Sequence, residues 1–184
     1  MIEEHRHTDW PKPVIALAGF SGSGKTTLLC KLLDQLTSQG FNVAVIKHSH
    51  HQVELDQPGK DSYRLTHSGA SQLLLSCPNQ AILFHAQTQH DDINSQLRLL
   101  DWKSLDLVIV EGYRHSNIAK LEVHRPELGK PLLCLDDPDI FALACNQPME
   151  QVTCPVWPLN APDKIAQLLI NYCFGDTLTH DHGD

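Results

Sequence analysis

The feature that most constrains this sequence is a glycine-rich segment, GFSGSGKTT at residues 19–27. It fits the pattern G-x-x-x-x-G-K-[ST], in which glycines let the backbone approach phosphate oxygens closely and a following helix directs its positive end at them. An apolar run at 14–18 precedes the segment, and leucines at helical spacing follow it from Thr26 to Gln39. Strand, glycine loop and helix in succession predict a phosphate-binding loop.

The loop supplies most of the candidate ligands of a nucleoside triphosphate. Lys25 is expected to reach the β and γ phosphates and is counted as catalytic, while the Thr26 hydroxyl is expected to ligate Mg²⁺. The predicted nucleotide-binding residues are Ser21, Gly22, Ser23, Gly24, Lys25, Thr26 and Thr27.

Two carboxylates are candidates for completing the metal site. The apolar run 105–110 ends in Glu111, a pattern typical of a Walker B strand. Because ligands bind at the carboxyl ends of strands in open α/β sheets, Glu111 is predicted to face the magnesium ion or its water. Asp61 lies beyond the end of a second predicted strand, within reach of the same water shell. Both are therefore predicted to be catalytic and metal-binding residues.

The alternation of patterns along the chain predicts the fold class. Further strands are predicted at 42–47, 71–76, 81–85, 105–110, 121–124, 131–135 and 141–145, and helices at 61–68, 91–100 and 161–174. This order favours an α/β fold of the P-loop NTPase type: a mainly parallel sheet flanked by helices, with added antiparallel hairpin strands. A single domain is expected at 13–174, between a polar tail at 1–12 and a His/Asp-rich tail at 175–184.

Charge and hydropathy exclude several classes of protein. The formal net charge of -8 argues against general binding to nucleic acid or to anionic membranes. No apolar run approaches the roughly 20 residues that span a bilayer, and the first residues are polar where a signal peptide is apolar. We therefore expect a cytoplasmic protein.

A cluster of ionisable residues follows the second predicted strand and leaves its role open. A phosphate or partner site, a transition-metal site at the histidines and a solvated loop all fit the pattern. The candidates for a second anion or a partner are Lys47, His48, His50, His51, Lys60, Arg64 and Arg114.

Several blocks together resemble a known family. After the phosphate loop come KHSHH at 47–51, PGKDS at 58–62, GA at 69–70 and VEGYR at 110–114. In this order they resemble molybdopterin-guanine dinucleotide biosynthesis protein B, MobB. The resemblance implies a homodimer that binds GTP with Mg²⁺ and has weak GTPase activity. It also implies a role in attaching GMP to molybdopterin, with the nucleotidyltransferase MobA as partner and molybdopterin as a further ligand.

The residues alone leave other functions open. No Asn-Lys-x-Asp guanine signature occurs, so GTP and ATP are not distinguished. A small-molecule kinase uses the same loop but usually carries an arginine-rich lid, which no segment here provides. A metallochaperone-type GTPase would use His48, His50 and His51. Slow hydrolysis is expected because neither Arg64 nor Arg114 is assigned as a catalytic cation by spacing.

Overall fold

The computed structural model describes residues 10–49, 57, 59–85 and 92–175. They belong to two compact units: the first holds the chain up to His48 and from Leu97 onward, and the second runs from Ser49 to Gln96. Whether these units make one domain stays a prediction. Residues 1–9 and 176–184 of the predicted tails lie outside the described residues, as do His50 and His51.

Eight strands and four α-helices occur among the described residues. The strands are β1 (Val14–Ala18), β2 (Val43–Lys47), β3 (Gln72–Cys77), β4 (Gln80–His85), β5 (Leu107–Glu111), β6 (Lys120–Val123), β7 (Ile140–Cys145) and β8 (Val156–Pro158). The helices are α1 (Lys25–Ser38), α2 (Asp61–His67), α3 (Ile93–Leu97) and α4 (Pro162–Phe174).

The first unit is built on a six-stranded sheet in the order β2-β5-β1-β6-β7-β8, with every neighbouring pair parallel. All residues of β1 and β5 are buried, as expected for parallel strands covered on both faces. On one face, Leu17 of β1 packs in a single core with Leu32 of α1 and Leu169 of α4. These contacts hold α1 against the sheet at a fixed position.

Strand order decides which loops meet at the carboxyl edge of the sheet. Leu17 in β1 is in register with Glu111 in β5 on one side and with Leu121 in β6 on the other. The segments that follow these three strands therefore emerge next to one another, and the phosphate loop is the central one.

The second unit contains α2 and an antiparallel hairpin formed by β3 and β4. Leu74 and Leu83 lie directly opposite each other in the hairpin and are exposed by 62% and 49%. The predicted fold class is confirmed, because a mainly parallel sheet flanked by helices is accompanied by an antiparallel hairpin. No helix in the described ranges is long and apolar enough to cross a membrane.

The prediction of a strand at 131–135 is wrong. Residues Leu133–Leu135 form a 3₁₀ turn instead. The backbone N–H groups of Leu133 and Cys134 donate to the two carboxylate oxygens of the buried Glu122, at 2.9 Å each. These donors are therefore taken by a side chain of β6 rather than by a neighbouring strand.

One helix is shorter than predicted, and one strand was not predicted. The helix expected at 91–100 is confined to Ile93–Leu97, with the Asp92 carboxylate accepting from the N–H groups of Asn94 and Ser95 at its start. The short strand β8 was not predicted, because three residues ending in proline carry almost no periodic signal.

Candidate functional site

The phosphate loop fills the interval between the end of β1 and the start of α1. Gly24 precedes α1 with a φ of 95°, a left-handed conformation that favours glycine. No side chain caps α1, and its first turn contains no acidic residue. The backbone N–H groups at the start of α1 therefore remain donors for an anion, as helix amino ends generally provide.

Lys25 lies folded along this loop. Its ammonium donates to the carbonyl oxygens of Gly19 and Phe20, at 2.9 and 3.0 Å. Desolvation lowers the pKa of Lys25 from its ordinary value; the negative charge of Glu111 opposes this shift and the charge of Lys47 adds to it. The structure thus holds one partly desolvated cation at the loop.

Thr26 and Glu111 meet although they lie on different elements. The Thr26 hydroxyl donates to Glu111 Oε1 at 2.6 Å, and the Lys47 ammonium pairs with Glu111 Oε2 at 3.2 Å. A hydroxyl and a carboxylate oxygen side by side form the hard oxygen set that Mg²⁺ prefers. The residues present therefore fit a magnesium ion, and their role as its ligands stays a prediction.

The position of Glu111 depends on the residue after it. Gly112 has a φ of 109°, and a Cβ added there would lie 2.7 Å from the Cβ of His48. The His48 backbone N–H donates to the Glu111 carbonyl at 2.9 Å, and its ring lies 4.7 Å from that of Tyr113. The ends of β2 and β5 therefore pack so closely that only glycine fits at position 112. This packing fixes the position of Glu111 at the end of β5.

Ser23 adds an unsatisfied polar group inside the loop. The residue is only 2% exposed, and its Oγ has no hydrogen-bond partner among the residues that the structure describes. A buried hydroxyl without a partner is costly unless something else bonds it. This observation fits a loop shaped around a polar ligand.

The described candidates for a second anion are divided between the two units. Lys47 is paired with Glu111, whereas the Arg114 guanidinium lies 5.9 Å from the Phe20 ring and its Nε donates to His115. Lys60, Asp61 and Arg64 belong to the second unit, at the start of α2 and within it. The roles predicted for these residues remain predictions.

No group of three or more His, Cys, Asp or Glu side chains suited to a metal ion occurs in the described part of the chain. His50 and His51 lie outside the described residues, so the metal hypothesis for the histidine cluster stays a prediction.

The sequence analysis missed two cations beside the loop. Arg125 Nε donates to the Ser23 carbonyl at 3.0 Å, and Lys130 Nζ lies 5.9 Å from the Phe20 ring. Arg125 comes directly after the predicted strand 121–124, and ligands of α/β sheets bind at the carboxyl ends of strands. This position could have indicated a role for Arg125 only if the strand had been known to lie beside β1.

Comparison with known proteins agrees with this architecture. The family model described as molybdopterin guanine dinucleotide synthesis protein B, MobB, matches residues 14–146. The chain belongs to the MobB family. Among MobB relatives, the molybdopterin-guanine dinucleotide biosynthesis adapter protein of Haemophilus influenzae is 36% identical over 93% of this chain and 92% of its own length. The protein of the same name from Escherichia coli is 36% identical over 74% of this chain and 80% of its own length.

A solved MobB structure shows the same fold. The crystal structure of Bacillus subtilis MobB superposes with a TM-score of 0.68 at 21% identity, covering 89% of this chain and 99% of that one. This chain and that solved structure thus share one fold.

Proposed function

We propose that this chain is a GTP-binding adapter of molybdopterin-guanine dinucleotide biosynthesis that hydrolyses GTP slowly. The contact between Thr26 and Glu111 carries the nucleotide part of the proposal, because it joins the loop hydroxyl to a strand-end carboxylate next to uncapped helix amides. The adapter part is supported by the relatives, whose names state that role.

Each residue of the site has a distinct task in this proposal. The amides at the start of α1 and the Lys25 ammonium bind the phosphates, while Thr26 and Glu111 hold Mg²⁺, with Asp61 as a further proposed member of its shell. Bound Mg²⁺ supplies positive charge that neutralises the β and γ phosphates. Because Glu111 is already engaged by both Thr26 and Lys47, it is poorly suited to take a proton from water. This supports slow hydrolysis.

Replacing Lys25 tests the nucleotide site. Lys25→Ala removes the loop cation, so we expect the dissociation constant for Mg·GTP to rise at least about tenfold, the effect of losing hydrogen bonds to a charged group. Titration calorimetry measures it, with Lys31→Ala as the matched control, since Lys31 is an exposed lysine of the same helix. Equal affinity of Lys25→Ala and the control would contradict the proposal.

The preference for GTP rests on the family and is tested by competition. We expect GTP to displace a labelled triphosphate at lower concentration than ATP does. If ATP competes equally well, the GTP assignment fails, and transfer of label from ATP to an acceptor would then favour a kinase.

The partners belong to the same proposal. The exposed leucines of the β3–β4 hairpin support a homodimer. MobA and molybdenum-cofactor proteins are the proposed further partners. Lys60→Glu combined with Arg64→Glu should weaken capture of MobA or molybdopterin in a pull-down while GTP affinity is kept. Undiminished capture would remove these residues from the partner site.

The cytoplasmic location stays a prediction.

A further inference from the structure

The segment that follows β6 lies along the phosphate loop. Residues 125–130, here called the flanking segment, touch the loop at successive points. Arg125 Nε donates to the Ser23 carbonyl at 3.0 Å. A Leu128 methyl comes within 3.9 Å of where a Cβ on Gly22 would lie, and Lys130 lies over Phe20. The flanking segment is therefore one wall of the phosphate site.

Arg125 makes the most directed of these contacts. A Cβ built on Gly24 would lie 3.5 Å from both Nε and Nη2 of Arg125, so the guanidinium lies directly against the Gly24 backbone. Within residues 10–49, 57, 59–85 and 92–175, the bond to Ser23 is the sole hydrogen bond of this side chain. Among these same residues, no carboxylate forms an ion pair with the guanidinium.

The bond to Ser23 also orients an amide. In a planar trans peptide the C=O and the following N–H point in opposite directions. Because Arg125 holds the Ser23 carbonyl, the Gly24 N–H points away from the guanidinium. No acceptor takes that N–H in the part of the chain that the structure describes. Gly24 is a flexible residue with a φ of 95°, so without this bond its peptide would be free to rotate.

We propose that Arg125 is a positioning residue of the phosphate loop: it locks the Ser23–Gly24 peptide so that the Gly24 N–H faces a bound polyphosphate. The inference rests on the proposed nucleotide-binding function and adds a residue to it. Since the contact is to the backbone, Arg125 acts on the phosphates of any nucleotide and on inorganic triphosphate alike, independently of the base.

Three substitutions distinguish a positioning role of Arg125 from a purely electrostatic effect of its positive charge. Arg125→Met removes both the charge and the bond, and Arg125→Lys keeps the charge without the planar donor edge. Lys130→Met removes a cation that lies near the same loop but donates no hydrogen bond to it. We expect Arg125→Met to weaken binding of Mg·GTP and of Mg·triphosphate by about tenfold or more, the effect of losing a charged hydrogen bond. Arg125→Lys should recover little of this loss, and Lys130→Met should cost clearly less.

A second readout does not depend on nucleotide. In the ligand-free full chain, the backbone ¹⁵N order parameter of Gly24 measured by NMR should be lower in Arg125→Met than in the parent chain or in Lys130→Met, because the peptide is then free to rotate. Circular dichroism should stay unchanged. If the parent chain binds neither Mg·GTP nor Mg·triphosphate, the proposed function fails, and the Gly24 order parameter still tests the positioning role.

Three results would overturn the inference: parental affinity in Arg125→Lys, a loss in Arg125→Met no larger than in Lys130→Met, or an unchanged Gly24 order parameter. If Arg125→Met does not fold, Arg125→Lys alone is the test. Weakened binding with a lower Gly24 order parameter then supports the role, and parental behaviour contradicts it.

Discussion

At the scale of single residues, the site is a set of opposite charges held close together. Lys25 and Lys47 both feel the charge of Glu111, and of these two lysines it is Lys47 that forms an ion pair with it. Lys25 instead donates to loop carbonyls. Among the residues that the structure describes, the lysine that the motif identifies has no carboxylate partner, which leaves its charge for a ligand.

The lowered pKa of Lys25 has a measurable consequence. Phosphate prefers the charged lysine, so affinity is fully present below the pKa of Lys25 in the free protein and falls as the pH rises through it. Because burial lowers that pKa, we expect the fall to begin at a lower pH than an ordinary lysine would give. Fluorescence titration with Mg·triphosphate, which lacks a titratable base, measures the profile from neutral to alkaline pH.

Lys25→Arg is the control for this pH profile, since a guanidinium stays charged throughout the range. Each affinity is normalised to its value at neutral pH. The interpretation fails if the two normalised profiles coincide.

At the scale of elements, the loop depends on how firmly α1 is packed. Leu28, Leu29, Leu32 and Leu36 recur on one face of α1 and are buried in the core with β1 and α4. This periodicity was readable in the sequence. The 3₁₀ turn at Leu133–Leu135 could not be read from the sequence. The N–H groups of Leu133 and Cys134 donate to the carboxylate of Glu122, which belongs to another element.

Truncating Leu32 tests the packing of α1. The side chain is fully buried, so Leu32→Ala should lower the free energy of unfolding by about 2–5 kcal/mol, through lost transfer energy and the remaining cavity. Urea unfolding followed by circular dichroism measures the change. Leu99→Ala is the control, since Leu99 is 49% exposed and should cost far less. Similar losses in both variants would show that α1 is not packed as described.

At the scale of the whole molecule, charge is distributed unevenly. The chain carries a formal net charge of -8, yet Lys25, Lys47, Arg114, Arg125 and Lys130 all lie at or near the phosphate loop. A local positive region in an acidic protein directs polyphosphates to one place while disfavouring nucleic acid in general. This supports a small anionic ligand.

The proposed homodimer is tested at the hairpin. Leu74→Glu places a charge on the exposed apolar face that Leu74 shares with Leu83, so we expect a lower fraction of dimer at a given concentration. Sedimentation velocity measures this fraction, with Leu99→Glu as the control on the first unit and Mg·GTP affinity as a check on folding. An unchanged dimer fraction would exclude this face, and a monomeric parent chain would exclude the homodimer.

The sequence by itself determined the phosphate loop, because glycines, Lys25 and Thr26 are contiguous and act through local backbone geometry. It also determined the α/β class through the alternation of strand and helix periodicities. The sequence also named Glu111 as a candidate, but only the tertiary structure placed it against Thr26, 85 positions away. The contact of Arg125 with Ser23, 102 positions away, was found in the tertiary structure alone. These pairs depend on β5 and β6 flanking β1 in the sheet. Strand order is set by the packing of the whole core, which no local pattern encodes.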